Sequence, residues 1–336
     1  MLTSGDERFS HQLVAPAATT AHESPAWAER CYHLLHLDGA TVLHAGRAVY
    51  PHAGRRTGFA GITTGVTQQA LRLEAPFDRR GDRDDPTVAG LRIEAVRPLE
   101  TVRLVLDEPD CPLAFDLTYD ARFAPVATAP NRIEREGVVV TDYMNFFQSG
   151  LYSGTVSLDG DEHRVRDRAG FRDRGWGLRK HEGAPRRGLV VACFCELPDA
   201  AIYAILYESS SGRRAFTNGW WIDAEGVDPI TAVEHDLEWD GTLLTAGALQ
   251  LQTGKGERRR LDFRVAGRLY LATAGYSADP GRARPGRERH DVTRAETVAE
   301  LDGQNDNACE FELEDGRRGH GYVETGLGVH ARYRPE

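Results

Sequence analysis

Lysine is nearly absent from this 336-residue chain: there are two, Lys180 and Lys255, against 39 arginines. That skew fits the codon usage of a GC-rich bacterial genome, so the arginine count is not read as a binding code. A basic surface is also lacking. The formal charge of −10 argues against nucleic acid as a partner, because phosphate-backbone binding needs the opposite sign, and against docking on an anionic membrane. No run approaches the ~20 apolar residues of a membrane span, so no integral membrane segment is expected. The opening Met1–Glu7 has no basic region followed by an apolar stretch, so no signal peptide is expected either. Cysteine is scarce, with five scattered residues. An odd, unpatterned set suits a reducing compartment better than a disulfide framework, and a cytoplasmic location is expected. Cys193 and Cys195, two apart, share one face of a strand and read as core.

Several signatures of chemistry are missing too. The chain has no Gly-x-Gly-x-x-Gly, P-loop, His-Glu-x-x-His or Gly-x-Ser-x-Gly pattern. His33 and His36 come nearest to a metal pair, but on a strand they point to opposite faces. No metal and no cofactor are expected.

Strand signals dominate what is present. Leu113, Phe115, Leu117 and Tyr119 alternate with mostly polar residues, as in a half-buried strand. Leu91–Val96, Val102–Leu106 and Ile202–Tyr207 are short β-rich runs bounded by turn residues. Asp-Gly pairs at 38–39, 159–160, 240–241, 302–303 and 315–316 suit tight hairpins, and Gln252–Gly256 reads as a further turn. Helical signals are weak, with short helices expected near Pro25–Arg30 and Arg294–Glu300. The segments Phe77–Gly90 and Asp279–Asp291 read as solvated connections. An all-β chain of this size must close its sheets or stack them. The expected fold is all-β, as two barrel or sandwich domains. Their boundary is expected near Gly183, in the Gly183-Ala184-Pro185-Arg186-Arg187-Gly188 stretch, giving 1–183 and 184–336.

Gly170-Phe171-Arg172-Asp173-Arg174-Gly175-Trp176-Gly177-Leu178-Arg179 stands out. Two glycines flank a tryptophan, and a carboxylate lies between two arginines that point away from it in an extended chain. An Arg–Asp–Trp brace between halves is one reading; a polar patch on a ligand site is the other. This stretch resembles the Gly-x-Arg-Asp-x-Ser-Trp-Gly-x-Arg signature of the hydroxyneurosporene synthase (carotenoid 1,2-hydratase) and AttH-like superfamily. That superfamily of paired lipocalin-like domains also includes fungal Diels–Alderases. Phe146–Gly150 with Ser153–Val156, Trp27–Tyr32, Val49–Pro51 and Gly319–Glu324 are similar to other parts of its members. Gly175 stands where the signature has Ser.

The resemblance implies two lipocalin-like antiparallel β domains and a hydrophobic small-molecule substrate, a polyene, isoprenoid or polyketide, held between or within them. Tyr143, Phe147, Trp176, Arg179 and Trp220 are the candidate substrate contacts. Trp220 and Trp221 are adjacent, so on a strand only one of them faces the core. Two mechanisms fit without a cofactor. A buried carboxylic acid could protonate an alkene, starting a cyclisation or a hydration, while aromatic faces stabilise the cation. The candidate acids are Asp142, Asp173 and Glu324, with Glu196 and Glu208 behind them. A pericyclic cyclisation would instead need only positioning and a hydrogen-bond donor. The rival expectation is a carrier that returns its ligand unchanged.

Overall fold

A computed structural model describes residues 2–14, 19–81, 84–135, 137–179, 188–209, 212–271 and 285–328. The chain is about 70% strand. After a 3₁₀ turn at Ser4–Glu7 come β1 (Leu13–Val14), β2 (Thr19–Thr20), β3 (Trp27–Asp38), β4 (Thr41–Tyr50), β5 (Arg55–Thr63) and β6 (Thr67–Pro76). Then follow β7 (Thr87–Val88), β8 (Leu91–Arg97), β9 (Thr101–Leu106), β10 (Leu113–Ala121), β11 (Val126–Ala127) and β12 (Asn131–Arg135). Two long strands, β13 (Val138–Leu158) and β14 (Asp161–Arg179), close this half. The second half holds β15 (Gly188–Glu196), β16 (Ala200–Ser209), β17 (Arg214–Asp223), β18 (Gly226–Asp240), β19 (Leu243–Thr253) and β20 (Arg258–Tyr270). It ends with β21 (Gly286–Asp291), the helix α1 (Ala295–Leu301), β22 (Gln304–Leu313) and β23 (Arg318–Gly328).

Apart from the β1–β2 ladder, two architectures result. The first half is one curled antiparallel sheet in the order β21-β6-β5-β4-β3-β14-β13-β10-β9-β8-β7, with β11 and β12 also on β13. It wraps until Val88 and Leu91 reach Gly58 on β5, where an added Cβ would meet the Leu91 side chain at 3.0 Å. The second half is a closed barrel, β15-β16-β17-β18-β19-β20-β22-β23. Closure is how an antiparallel protein removes its open edges. The expected all-β fold of two lipocalin-like halves is the one observed.

Period-two alternation decides which side chains go where. In the first half Leu35, Leu43, Ala45, Ile62, Leu104, Leu117 and their neighbours fill the concave side. Cys193, Cys195, Cys309, Leu206, Leu249, Trp221 and Phe311 fill the barrel, which is wide enough for a side-chain core. Opposite-facing residues of both halves meet in a third cluster, the seam: Tyr32, Leu34, Phe147 and Phe171 against Phe194, Tyr203, Trp220 and Tyr322. Trp220 and Trp221 divide as adjacent strand residues should.

The turns at Asp38-Gly39, Asp159-Gly160, Asp240-Gly241 and Asp315-Gly316 join consecutive strands, and Asp159 and Gly160 both take positive φ (53° and 93°) as a tight hairpin requires. Asp302-Gly303 does not; it joins α1 to β22. The helix expected near Arg294 is present, whereas the one expected at Pro25–Arg30 is the start of β3, because its residues pair with β14 and β4. Phe77–Gly90 is not wholly solvated, since Phe77 and Val88 are buried. Within Asp279–Asp291 the described part is a strand, β21, which crosses back from the second half to pair with β6. The expected boundary at Gly183 lies outside the described residues.

Candidate active site at the seam

Strand β14 sorts its signature by parity. Arg172 and Arg174 turn into the first half, where both are buried. Arg172 Nη1 donates to both carboxylate oxygens of Glu7 at 3.0 Å, and Nε and Nη2 donate to Gln148 Oε1. Arg174 Nη2 donates to Glu29 Oε2 at 2.8 Å, and its guanidinium lies 3.9 Å from the Phe9 ring centre. Each buried charge is thus met by a carboxylate, as burial demands. The N-terminal segment supplies Glu7, Phe9 and His11, and His11 stacks on the half-buried Trp176 at 4.2 Å with rings 2° from parallel. The arginines therefore brace the N-terminal segment instead of Asp173.

Phe171 and Asp173 face the other way, into the seam. Phe171 meets Phe194 with ring centres 3.9 Å apart, Phe147 stacks on Tyr203 at 4.1 Å, and Phe194 stacks on Tyr322 at 4.6 Å. Trp220 continues the stack from Tyr203 at 5.3 Å. Such offset rings add to area burial. They also surround the seam with π faces.

A carboxylate group sits at one end of this ring cluster. Asp306 on β22 and Glu324 on β23 are cross-strand partners, so their side chains start close together on one face. Asp306 is buried, and the Tyr32 hydroxyl donates to its Oδ2. Its Oδ1 has no hydrogen-bond partner among the described residues. Burial, then the charge of Glu324, push the Asp306 carboxyl well above the usual carboxylate range, with Asp173 adding to the effect. Tyr322 responds to the same group: burial, then the charges of Asp306, Tyr32, Glu324 and Asp173, raise its hydroxyl. Glu324 is half-buried, and its Oε1 accepts from Gln304 Nε2 at 2.6 Å. Behind Tyr32, His44 Nδ1 lies 3.3 Å from the Tyr32 oxygen. Burial lowers the His44 pKa to about 3, so this imidazole is neutral. Burial and neighbouring carboxylates thus favour the neutral form of Asp306, the form a general acid needs, beside a phenol and aromatic rings.

At the other end of the seam Glu196 is buried as well. Its Oε2 accepts from Arg122 Nη1 at 2.7 Å and from Ser149 Oγ at 2.5 Å. Burial, outweighing these partners, raises its pKa to about 7.

The residues expected from sequence fall into three sets. Asp173, Glu324, Phe147 and Trp220 lie at the seam. Tyr143 is buried farther along the same face of the first sheet, where its hydroxyl takes a hydrogen bond from Arg30 Nε at 2.7 Å. Asp142 is elsewhere. It is exposed and paired with Arg132 at 2.6 Å, outside any apolar pocket. Trp176 lies against His11, away from the rings of the seam, and the side chain of Arg179 is outside the described residues. Glu208 is paired with Arg214 and His235 on the barrel. Asp306 escaped the sequence reading. It stands in Gln304-Asn305-Asp306-Asn307 directly after Asp302-Gly303, which looks like a turn; its signal is the return of apolar alternation at Ala308.

Gly175 has a structural account. A Cβ there would lie 2.0 Å from the Tyr143 hydroxyl and 2.9 Å from Asn145 Cβ. The space of the signature's serine is occupied by Tyr143.

Solved structures share this architecture. A protein of Nitrosomonas europaea provisionally named AttH (NE1406) is 13% identical, with a TM-score of 0.57 over 95% of this chain and 98% of that one. CghA is 14% identical, with a TM-score of 0.54 over 90% of this chain and 88% of its own. The complex of CghA with Sch210972 gives 0.53 at 13% identity over the same shares. At these identities the likeness is one of fold alone, the two-part all-β architecture shared with the AttH protein and CghA. Residues 16–327 match the family described as domain of unknown function DUF7064, and the chain belongs to that family. No protein of curated function matches it.

Proposed function

We propose that this protein is a cofactor-independent enzyme that protonates a hydrophobic unsaturated small molecule between its two halves, with Asp306 as the acid. The observation that carries this reading is the environment of Asp306: buried, facing two further carboxylates, and hydrogen-bonded on Oδ2 by Tyr32. Neighbouring negative charge and lost hydration both favour the neutral acid. Its proton is available to an alkene that enters the seam when the halves part. The Asp306 O–H proton adds to one alkene carbon and leaves a cation on its neighbour. Either a second double bond of the same molecule captures that cation, with return of a proton to the carboxylate, or water does so with the same return. The first path cyclises and the second hydrates. The faces of Phe147, Phe171, Tyr322 and Trp220 suit a cationic intermediate, and Asp173 and Glu324 keep the pocket negative around it. The fold supports the coarser part of this reading, a cofactor-independent enzyme acting on a natural-product intermediate. The choice of acid rests on Asp306 alone, since a Diels–Alderase such as CghA needs positioning and no acid. The five cysteines are free, in keeping with work in a reducing compartment such as the cytoplasm. We propose the division between halves near Gly183, as 1–183 and 184–336, with β21 returning to the first sheet.

The test is mass spectrometry of extracts after incubating the protein, with nothing added, with polyenes, prenylated compounds and linear polyketides. A product of equal mass, or heavier by one water, is expected from the unmodified protein and from Asp142→Asn. Asp306→Asn is expected to lose it by a factor of about 10²–10⁴, the usual worth of a general acid. Full turnover by Asp306→Asn would overturn the acid and leave positioning as the mechanism. Substrates returned unchanged by every variant would mark a carrier.

A further inference from the structure

The rings of the seam are packed against one another, so a ligand reaches Asp306 only if the halves part. The halves are tied by the β6–β21 ladder and by two buried hydrogen bonds between Gln68 and the Tyr270 backbone. A further, titratable group of contacts lies at the opposite end of the seam. Arg122, in the loop after β10, crosses from the first half to donate to Glu196 Oε2 at 2.7 Å, to the Leu197 carbonyl at 2.8 Å and to the Pro198 carbonyl at 3.0 Å. Ser149 on β13 donates to the same Glu196 oxygen. His320, the cross-strand neighbour of Glu196, donates from Nε2 to the Ala169 carbonyl at 3.3 Å and packs edge-on against His36 at 5.6 Å. All these contacts join one half to the other. Water comes close by, in a cleft of about 660 Å³ whose lining includes His36, Arg168 and His320.

We propose that Glu196, with Arg122, Ser149 and His320, is a proton-controlled latch that sets how readily the seam opens. This rests on the seam being the substrate site. In the closed seam Glu196 leaves water, and one arginine whose other donors are committed to carbonyls does not return the cost of burying a carboxylate. The carboxyl groups and cations around it are few. Ser149 and Arg122 touch it, while the Tyr119 and Tyr152 hydroxyls feel its charge. His320 feels Arg122, Arg168 and His36 in turn.

The two titrations work in opposite directions. The raised Glu196 pKa, about 7 against 4.5 in water, means that closure is favoured at low pH. That preference declines tenfold per unit as pH rises from 4.5 through 7, and is gone above. His320 is lowered by burial first, so the closed seam prefers it neutral. Its contribution is full above 6.5 and is lost as pH falls. In the intact protein these slopes offset each other at mildly acidic pH. The Glu196 slope stands alone between about 6.5 and 7, and above 7 opening is pH-independent with Glu196 ionised.

A thiol placed in the seam reads this directly. Cys111, the half-buried free cysteine, is changed to Ser and Ala192, buried in the seam, to Cys. The rate of thiol modification by a disulfide reagent, divided by that of free cysteine at the same pH, measures opening. Adding His320→Gln should expose the Glu196 slope, with opening rising about tenfold per unit between pH 5 and 7. Adding Glu196→Gln should cut opening at pH 8 by about a hundredfold and flatten that slope. A pH-independent rate in the His320→Gln background, or equal opening at pH 8 with and without Glu196→Gln, would overturn the latch. Because the readout is independent of turnover, a flat turnover response to Asp306→Asn beside an intact thiol slope would sink the acid alone.

Discussion

Replacing Gly175 by Ala tests the packing beneath the signature. The new Cβ would sit 2.0 Å from the Tyr143 hydroxyl and 2.5 Å from its Cζ, where ordinary contacts begin near 3.4 Å. Nothing at that site can yield cheaply: the Tyr143 ring is buried, and its oxygen is fixed by Arg30 Nε at 2.7 Å. Forcing the ring aside costs the overpacking range of about 1–3 kcal/mol, and the broken hydrogen bond adds about 1 kcal/mol. A loss of about 2–4 kcal/mol is therefore expected, read as a lower urea midpoint at unchanged slope. Gly175→Ser should cost as much. Shortening the tyrosine supplies the cross-check. In Tyr143→Ala, itself destabilised, the further change Gly175→Ala should cost under ~1 kcal/mol, since contacting residues are not additive. A loss of less than 0.5 kcal/mol for Gly175→Ala alone, outside the range for a clash of that kind, would refute the argument that Tyr143 occupies the serine's place.

Asp306→Asn should stabilise folding at pH 8 while removing activity. The raised Asp306 pKa stabilises the fold fully below the unfolded carboxylate's pKa and ceases to do so as pH rises through the folded value, so at pH 8 the amide relieves a burden; equal or lower urea midpoints at pH 8 would contradict this. Glu7→Gln should cost about 3–5 kcal/mol, because it strips Arg172 of its buried counter-charge; an unchanged midpoint would show that the N-terminal segment is not held by that pair. Asp142→Asn should change stability by less than about 0.5 kcal/mol, as expected for an exposed ion pair, and a larger loss in thermal unfolding would contradict its surface placement.

Much of the fold is legible in the chain because alternation and turn chemistry are local. Leu113 to Tyr119 reads as a strand from four residues, and Asp159-Gly160 marks the hairpin between the two longest strands. Asp302-Gly303 carries the same turn chemistry but follows a helix, so a dipeptide alone cannot say what it connects. β21 was illegible for another reason: Gly286-Arg287-Glu288-Arg289-His290-Asp291 has no apolar alternation, being an exposed edge strand held by its backbone ladder and by charged contacts such as Glu288 with Arg72. Parity within β14 correctly sends Arg172 and Arg174 away from Asp173, yet nothing nearby in sequence announces Glu7 and Glu29 as their partners. Asp306 depends on Tyr32, 274 positions away, and on a barrel wall that brings Glu324 beside it. Long-range juxtaposition, not residue type, gives it this environment.

The crossing of β21 has a consequence for synthesis. One edge of β6 pairs at once with β5, but on the other edge Thr67 to Arg72 find their ladder partners in Asp291 to Gly286, more than two hundred positions later. A ribosome adding ~5–20 residues per second exposes β6 for roughly 10–45 s before that partner emerges. During this interval the nascent first half presents a bare row of amides and carbonyls that a neighbouring chain could pair with. Overproduction, which crowds nascent chains, should therefore damage this protein through β6, and a chaperone that shields strand edges should rescue its yield better than one that shields apolar faces.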